Sequence, residues 1–333
     1  MEAALHPEAA LFDGERALPA LPPCEHFAGS EKLILKSFSL QQEIGAVFDI
    51  TCDCEDGAPR GAEREHAQRV GELIAGRANV FGRAGARVHE VTSPFWRDDV
   101  STIVEHAGDR VAYLTLPKVQ RAADVREVLD HLSDVVARVG LQRRIPIHAL
   151  IETHAGLRDV HAIAALDGVE TLDFGLLDFI SAHRGAIPTT AMRSPGQFDH
   201  PLVRRAKCEI AAAALGAGCI PSHNITLDLA HPEQAGADAA RARNEFGFLR
   251  MYSIHPSQIQ PIVAAMRPPA EAVTDAADLL LAARAAAWGP IRFRDEMHDR
   301  ASYRHYWTLL QSARVGGMQL PADAERAFFA TNG

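Results

Sequence analysis

Val111-Ala-Tyr-Leu-Thr-Leu-Pro-Lys-Val119, the stretch Val125 to Gly140, and Ile145-Pro-Ile-His-Ala-Leu-Ile-Glu152 together decide the fold of this chain. The first and third pieces are short apolar runs with β-branched and aromatic residues, the pattern of strands buried on both faces. Between them Val125, Val128, Leu129, Leu132, Val135, Val136 and Val139 recur at helical spacing and stop at Gly140. Apolar residues at i, i+3, i+4 and i+7 mark the buried side of a helix, and a glycine past its end supplies a left-handed cap. A strand, a covering helix and a second strand make one unit of a parallel sheet.

The same unit recurs in both directions. Candidate strands are Lys32–Phe38, Val47–Cys54, Ala86–Thr92, Val111–Val119, Ile145–Glu152, Thr171–Phe174, Cys219–Thr226 and Leu249–Ile254. Helical stripes run through Val70, Leu73 and Ile74 before Gly76, through Val100, Ile103 and Val104 before Gly108, and through Leu157, Val160 and Ile163 before Gly168. Pro201–Leu215 and Pro232–Phe246 open with proline, which suits a first helical turn. Eight such cycles predict an α/β protein, a (β/α)8 barrel. An open doubly wound sheet is the rival, but Gly82 and Gly85 do not follow a strand in the spacing of a dinucleotide-binding turn.

The 333 residues divide on this reading into an N-terminal segment 1–29, a barrel 30–288 and a helical extension or lid 289–333, which begins at the Trp288-Gly289-Pro290 break. The extension carries Phe293, Tyr303, Tyr306, Trp307, Phe328 and Phe329, expected to pack on the barrel or on a neighbouring subunit. Hydrophobic residues make up 47% and charged residues 23%, which excludes wholesale disorder. A net charge of −9 argues against nucleic acid or an anionic membrane as partner, and leaves room for a small anionic substrate held by local cations. Cysteines at 24, 52, 54, 208 and 219 form no C-x-x-C pair, so neither a disulfide framework nor a structural zinc site is expected. Glu2, Glu8 and the early prolines do not fit a secretory leader, and the longest apolar run, Ala211–Leu215, falls far short of the ~20 residues of a membrane span. The expected location is cytoplasmic.

Active sites of such barrels lie at the carboxyl ends of the strands. There the sequence places Asp53-Cys-Glu-Asp56, Arg87-Val-His89, Pro117-Lys118, Ile151-Glu-Thr153, Leu177-Asp178, Ser222-His-Asn224 and Ile254-His-Pro256. Carboxylates converging on one mouth repel unless protonated or bridged, and a hard divalent ion with oxygen ligands is the economical bridge.

These strand-end motifs resemble the HpcH/HpaI aldolase and citrate lyase β-subunit superfamily, which includes malyl-CoA lyases. The matching stretches are Asp53-Cys-Glu-Asp-Gly57, Arg87-Val-His89, Leu116-Pro-Lys-Val119, Ala149-Leu-Ile-Glu-Thr153, Phe174-Gly-Leu-Leu-Asp178 and Ile254-His-Pro-Ser-Gln258, in the family's order. The resemblance implies a Mg²⁺-dependent lyase, with Mn²⁺ as a substitute, that cleaves or forms a carbon–carbon bond beside a carbonyl of a 3-hydroxyacyl-CoA such as citryl-CoA or malyl-CoA. It implies Glu152 and Asp178 as metal ligands and Arg87 on the developing enolate oxygen. Glu55 and Asp56 would orient metal-bound waters, and Lys118 is assigned to cofactor binding. Asp299, in Asp295-Glu-Met-His-Asp299, would be the acid/base, and the assembly would be a homo-oligomer, a trimer or hexamer.

Other readings stand beside these. Glu152 and Asp178 could instead form salt bridges with Lys118 or Arg87, and Asp299 could be a solvated helix residue. His89, His223 and His255 could be ligands or hydrogen-bonded mouth residues, whereas His148 lies lower and is read as structural. The family's first strand carries Arg-Ser-x-Leu-x-Val-Pro-Gly, which Glu31–Phe38 lacks. That difference motivates a class II aldolase of free 2-oxo acids releasing pyruvate as an alternative; a non-catalytic binding barrel is another.

Overall fold

The computed structural model describes residues 5–12, 15 and 18–330, which form two compact units, Pro22–Met266 and a second made of Arg267 onward with the residues up to Leu21. In the first unit eight parallel strands close in sequence order into a barrel. They are β1 (Cys24–Ala28), β2 (Phe48–Asp53), β3 (Ala84–Arg87), β4 (Val111–Leu116), β5 (Ile147–Ile151), β6 (Val169–Phe174), β7 (Ile220–His223) and β8 (Arg250–Ser253). Hydrogen bonding of β1 to both β2 and β8 removes every free edge.

Seven of the strands overlap the expected runs; the first does not. Lys32–Phe38 lies in a helix, Glu31–Ile44, whose buried residues Ile34, Ser37, Phe38 and Gln41 follow helical spacing. The strand that precedes it, Cys24-Glu-His-Phe-Ala28, holds a glutamate and a histidine that the structure buries. The strand itself and its flanks, Pro22–Gly29, also lack the Arg-Ser-x-Leu-x-Val-Pro-Gly stretch apart from its closing glycine. Of the expected glycine caps, Gly140 is left-handed, whereas Gly76, at φ −63°, is not. The stripe through Leu157, Val160 and Ile163 is split between two short helices, His154–Arg158 and Val160–Ala164.

The barrel interior is charged. Barrels of this type usually fill with Val, Ile and Leu, but here Glu25, Asp49, Thr51, Tyr113, His148, Asp173 and Arg250 meet inside, all buried. Arg250, fully buried, sets Nη2 3.0 Å from Glu25 Oε2 and Nη1 2.7 Å from Asp49 Oδ2. Thr51 Oγ1 donates to Glu25 Oε1 and lies 2.8 Å from the Tyr113 hydroxyl. Burial opposes ionisation of Glu25, but Arg250 and His148 overcome it and hold the carboxyl down at about 2.

The second unit has its own small core. Tyr303, Trp307 and Phe328 are buried there with Leu279, Leu280 and Trp288, so those aromatics of the extension are covered by neighbours within the unit. The extension is not helical throughout: Ile291–Phe293 and Glu296–His298 form an antiparallel hairpin, β9 and β10, ahead of the helix Arg300–Val315.

Truncating one member of a buried ion pair leaves the other charge uncompensated at a cost of about 3–5 kcal/mol. Arg250→Leu is expected to lower the unfolding free energy by roughly that amount, read from urea denaturation followed by far-UV circular dichroism. An unchanged midpoint would show that the interior carboxylates do not depend on this guanidinium.

Candidate active site

Strand register builds the site. Asp53, last in β2, and Arg87, last in β3, are direct cross-strand partners. Arg87 donates from Nε to Asp53 Oδ1 (2.7 Å) and from Nη2 to Asp53 Oδ2 (2.5 Å), a bidentate fork that fixes the guanidinium plane. The same carboxylate accepts the backbone N–H groups of Glu55 (3.0 Å) and Gly57 (2.9 Å), so it also shapes the loop carrying Glu55 and Asp56. Phe27, from β1, lies under the guanidinium, 5.2 Å from its ring centroid to Arg87 Cζ. The remaining nitrogen, Nη1, stands 3.3 Å from Glu55 Oε2.

Lys118 closes the far side of this loop. Its Nζ binds Asp56 Oδ2 (2.8 Å) and Glu55 Oε1. Its backbone takes φ 51°, a left-handed conformation that costs a residue with a side chain about 1–3 kcal/mol. In that conformation the Lys118 backbone N–H donates to Glu152 Oε1 (2.7 Å). Partial burial of Asp56 works against its charge, but the Lys118 ammonium prevails and holds it below the ordinary range.

Glu152 follows β5 and is almost fully buried, while Asp178 sits in the first turn of the helix Leu176–Ser181 that follows β6. Both line one cavity of about 400 Å³ with Asp53, Asp56, Arg87 and Tyr252. Burial, followed by the nearby charge of Asp178, pushes the Glu152 carboxyl up to about 8. Gly175 leaves Glu152 its space, since a Cβ there would lie 2.0 Å from Glu152 Oε2. Two oxygen donors, one buried and destabilised by the other, fit a hard divalent cation, which would remove the repulsion.

The structure thus brings Arg87, Glu55, Asp56, Lys118, Glu152 and Asp178 to one mouth. Asp299 belongs to the second unit, where its carboxylate accepts from Ala301 N (3.0 Å) and caps the helix Arg300–Val315. The histidines have partners of their own. Asp99, buried, accepts both the backbone N–H of His89 (2.9 Å) and its Nδ1–H (2.6 Å). His223 donates from Nδ1 to Asn224 O (3.0 Å), and its Nε2 accepts from the buried Lys207 Nζ (2.6 Å). His255 is exposed and bonds Ser257 Oγ (2.7 Å), and His148 lies in the barrel interior. Sequence reasoning quoted Asp53 within a motif but gave it no task. Its position as the last residue of a strand, beside a strand ending in arginine, was the available signal. Phe27 had none, because its strand was placed elsewhere.

Comparison with known proteins agrees with this geometry. The HpcH/HpaI aldolase/citrate lyase family model matches residues 40–256. An L-malyl-CoA/beta-methylmalyl-CoA lyase of Cereibacter sphaeroides is 28% identical over 322 residues, covering 91% of this chain and 98% of that protein. A malyl-CoA/beta-methylmalyl-CoA/citramalyl-CoA lyase of Chloroflexus aurantiacus is 32% identical over 125 residues, 37% of this chain and 35% of its own. A crystal structure of a citrate lyase from Burkholderia xenovorans LB400 superposes with a TM-score of 0.83 at 51% identity, covering 98% of this chain and 100% of that one. The chain belongs to the HpcH/HpaI aldolase/citrate lyase family. It is a carbon–carbon lyase by that membership.

Replacing Asp53 by asparagine removes the charge that holds Arg87 while keeping the shape. Asp53→Asn is expected to cost about 1.5–3 kcal/mol, the worth of a charge-assisted hydrogen bond, and to raise amide exchange at Glu55 and Gly57. Unchanged protection at those two amides, read by hydrogen-exchange mass spectrometry, would contradict the anchoring role of Asp53.

Proposed function

We propose that the chain cleaves a 3-hydroxyacyl-CoA, of the citryl-CoA or malyl-CoA kind, in a Mg²⁺-dependent retro-aldol reaction. The observation that carries this is the shared cavity in which Glu152 and Asp178 face an Arg87 locked by Asp53. The names of the relatives support the substrate class. Glu152 and Asp178 would hold the ion, and Mg²⁺, with Mn²⁺ as substitute, supplies Lewis-acid polarisation of substrate oxygens when bound.

The chain's own groups divide the remaining work. Loss of the proton from the 3-hydroxyl breaks the C2–C3 bond and leaves its electron pair on the thioester as an enolate. Arg87, planar and already aimed, offers its charge to that oxygen, where a flexible lysine would have to be ordered first. Lys118 keeps Glu152 in place through its backbone N–H, and its ammonium keeps Glu55 and Asp56 oriented toward waters of the site. Asp299 is the proposed acid/base that takes the hydroxyl proton and returns one to the enolate carbon. Its carboxylate accepts backbone N–H groups of the first turn of the helix Arg300–Val315, which fixes its position. The alternative, a class II aldolase of free 2-oxo acids, keeps its motive, because the first strand within Pro22–Gly29 also lacks the family's Arg-Ser and proline.

Removal of the ion should abolish cleavage, with Mg²⁺ or Mn²⁺ restoring it. Glu152→Ala and Asp178→Ala should each lower kcat/KM by about 10²–10⁴, the equivalent of several kcal/mol of transition-state stabilisation. A panel of 3-hydroxyacyl-CoA thioesters and free hydroxy-oxo acids, assayed for released acyl-CoA and pyruvate, separates the substrate classes. Undiminished turnover by chelated enzyme would overturn the reading.

A homo-oligomer, a trimer or hexamer, and a cytoplasmic location complete the proposal. Met297, in the middle of β10, exposes 72% of its surface, an unusual place for a methionine without a covering partner. Cys24, Cys52, Cys54 and Cys208 form no disulfide among the described residues, which suits a reducing compartment. No helix among the described residues is long and apolar enough to cross a membrane. Sedimentation velocity of the full chain is expected to show a trimer or hexamer, and a monomer at micromolar concentration would contradict it.

A further inference from the structure

We propose that Glu25, His148 and Asp173 form a second metal site, inside the barrel and separate from the mouth, that takes one divalent transition-metal ion. Ligand atoms of the three side chains lie within 4.8 Å of one another, and all three residues are buried. His148 Nδ1 and both carboxylate oxygens of Asp173 lack a hydrogen-bond partner, while Glu25 Oε2 is ion-paired to Arg250 Nη2 at 3.0 Å. Orphaned polar atoms in a dry interior are costly, and here they are gathered at one point.

The geometry favours an ion over a direct contact. His148 Nδ1 stands 3.6 Å from Glu25 Oε2, too long for a hydrogen bond but close to the roughly 3.5 Å between neighbouring donors on a tetrahedral ion with bonds of about 2.0–2.2 Å. The opposite ring nitrogen, Nε2, lies 3.1 Å from Glu170 Oε2. Donation of Nε2–H to that carboxylate leaves the Nδ1 lone pair directed inward, the arrangement in which a second carboxylate orients a metal-binding imidazole. Tyr113, stacked 3.8 Å from the His148 ring at 10°, fixes its plane. Ser222, the cross-strand partner of Asp173, and Thr171, that of His148, also carry unpartnered hydroxyls. They supply neutral oxygens for an ordered water on the ion.

Charge balance points the same way. The carboxylates of Glu25, Asp49, Glu170 and Asp173 outnumber the guanidinium groups of Arg250 and Arg83 by two, and a divalent ion cancels that excess. An imidazole nitrogen with two carboxylates selects zinc, manganese or iron(II), whereas the all-oxygen mouth suits Mg²⁺.

The test is metal analysis of the full-length chain refolded from guanidinium with Zn²⁺, then dialysed against EDTA at pH 8. About one zinc per chain is expected in the wild type and in Asp178→Ala, falling below about a tenth in Asp173→Asn and His148→Gln. Pulsed EPR of wild-type protein refolded with Mn²⁺ needs no variant. Nitrogen coupling to the retained Mn²⁺ is expected, because the mouth pair offers only oxygen. Folded wild type that retains no zinc or manganese, retention in Asp173→Asn, or Mn²⁺ without nitrogen coupling would each overturn the site.

Discussion

Buried carboxylates need matching positive charge, and that constraint organises this barrel from the inside. Arg250 has no exposed surface and reaches two carboxylates on β1 and β2 from the neighbouring β8. The interaction spans the seam where the first and last strands close, so closure and charge neutralisation are one event. A hydrophobic interior of the usual kind would hold the strands by packing alone. Here the hydrophobic packing lies between strands and helices, through residues such as Val70, Ile103, Val125 and Ile163, while the centre is held by charge.

The mouth repeats the principle with different parts. Asp53 and Arg87 form a neutral unit that is already ordered, and Lys118 offsets Glu55 and Asp56. Only Glu152 and Asp178 are left with no cation assigned to them, and burial makes the Glu152 carboxyl difficult to ionise. Within the mouth, the deficit of positive charge thereby falls where a divalent ion has work to do. Gly175 beside Glu152, and the Lys118 backbone turned toward it, show that the carboxylate is positioned by the chain before any ion arrives.

The sequence made legible what depends on periodicity. Strands β2 to β8 and the long helices between them follow from apolar spacing, and the strand ends then locate the mouth with Arg87, Glu152 and Asp178. The first strand was hidden because Glu25 and His26 break an apolar pattern, and their partners lie far away, at Arg250 and Ser253. Charge pairs with a separation of more than two hundred residues leave no local signature. The helix Glu31–Ile44 was mistaken for a strand because Leu33, Leu35 and Phe38 give it apolar residues beyond one face, with Leu33 and Leu35 exposed in the structure. Asp53 was visible as a residue and invisible as an anchor, since its role depends on strand pairing.

That pairing has a consequence for how the protein is made. Asp53 and Arg87 face the same side only because β2 and β3 pair in one register, and a slip of one residue turns a side chain to the opposite face of the sheet. A barrel closed one residue out of step would keep most of its secondary structure and lose the guanidinium from its mouth. The active site therefore doubles as a proofreader of assembly: only correctly closed molecules present a complete one, and the catalytically competent fraction of a preparation counts them.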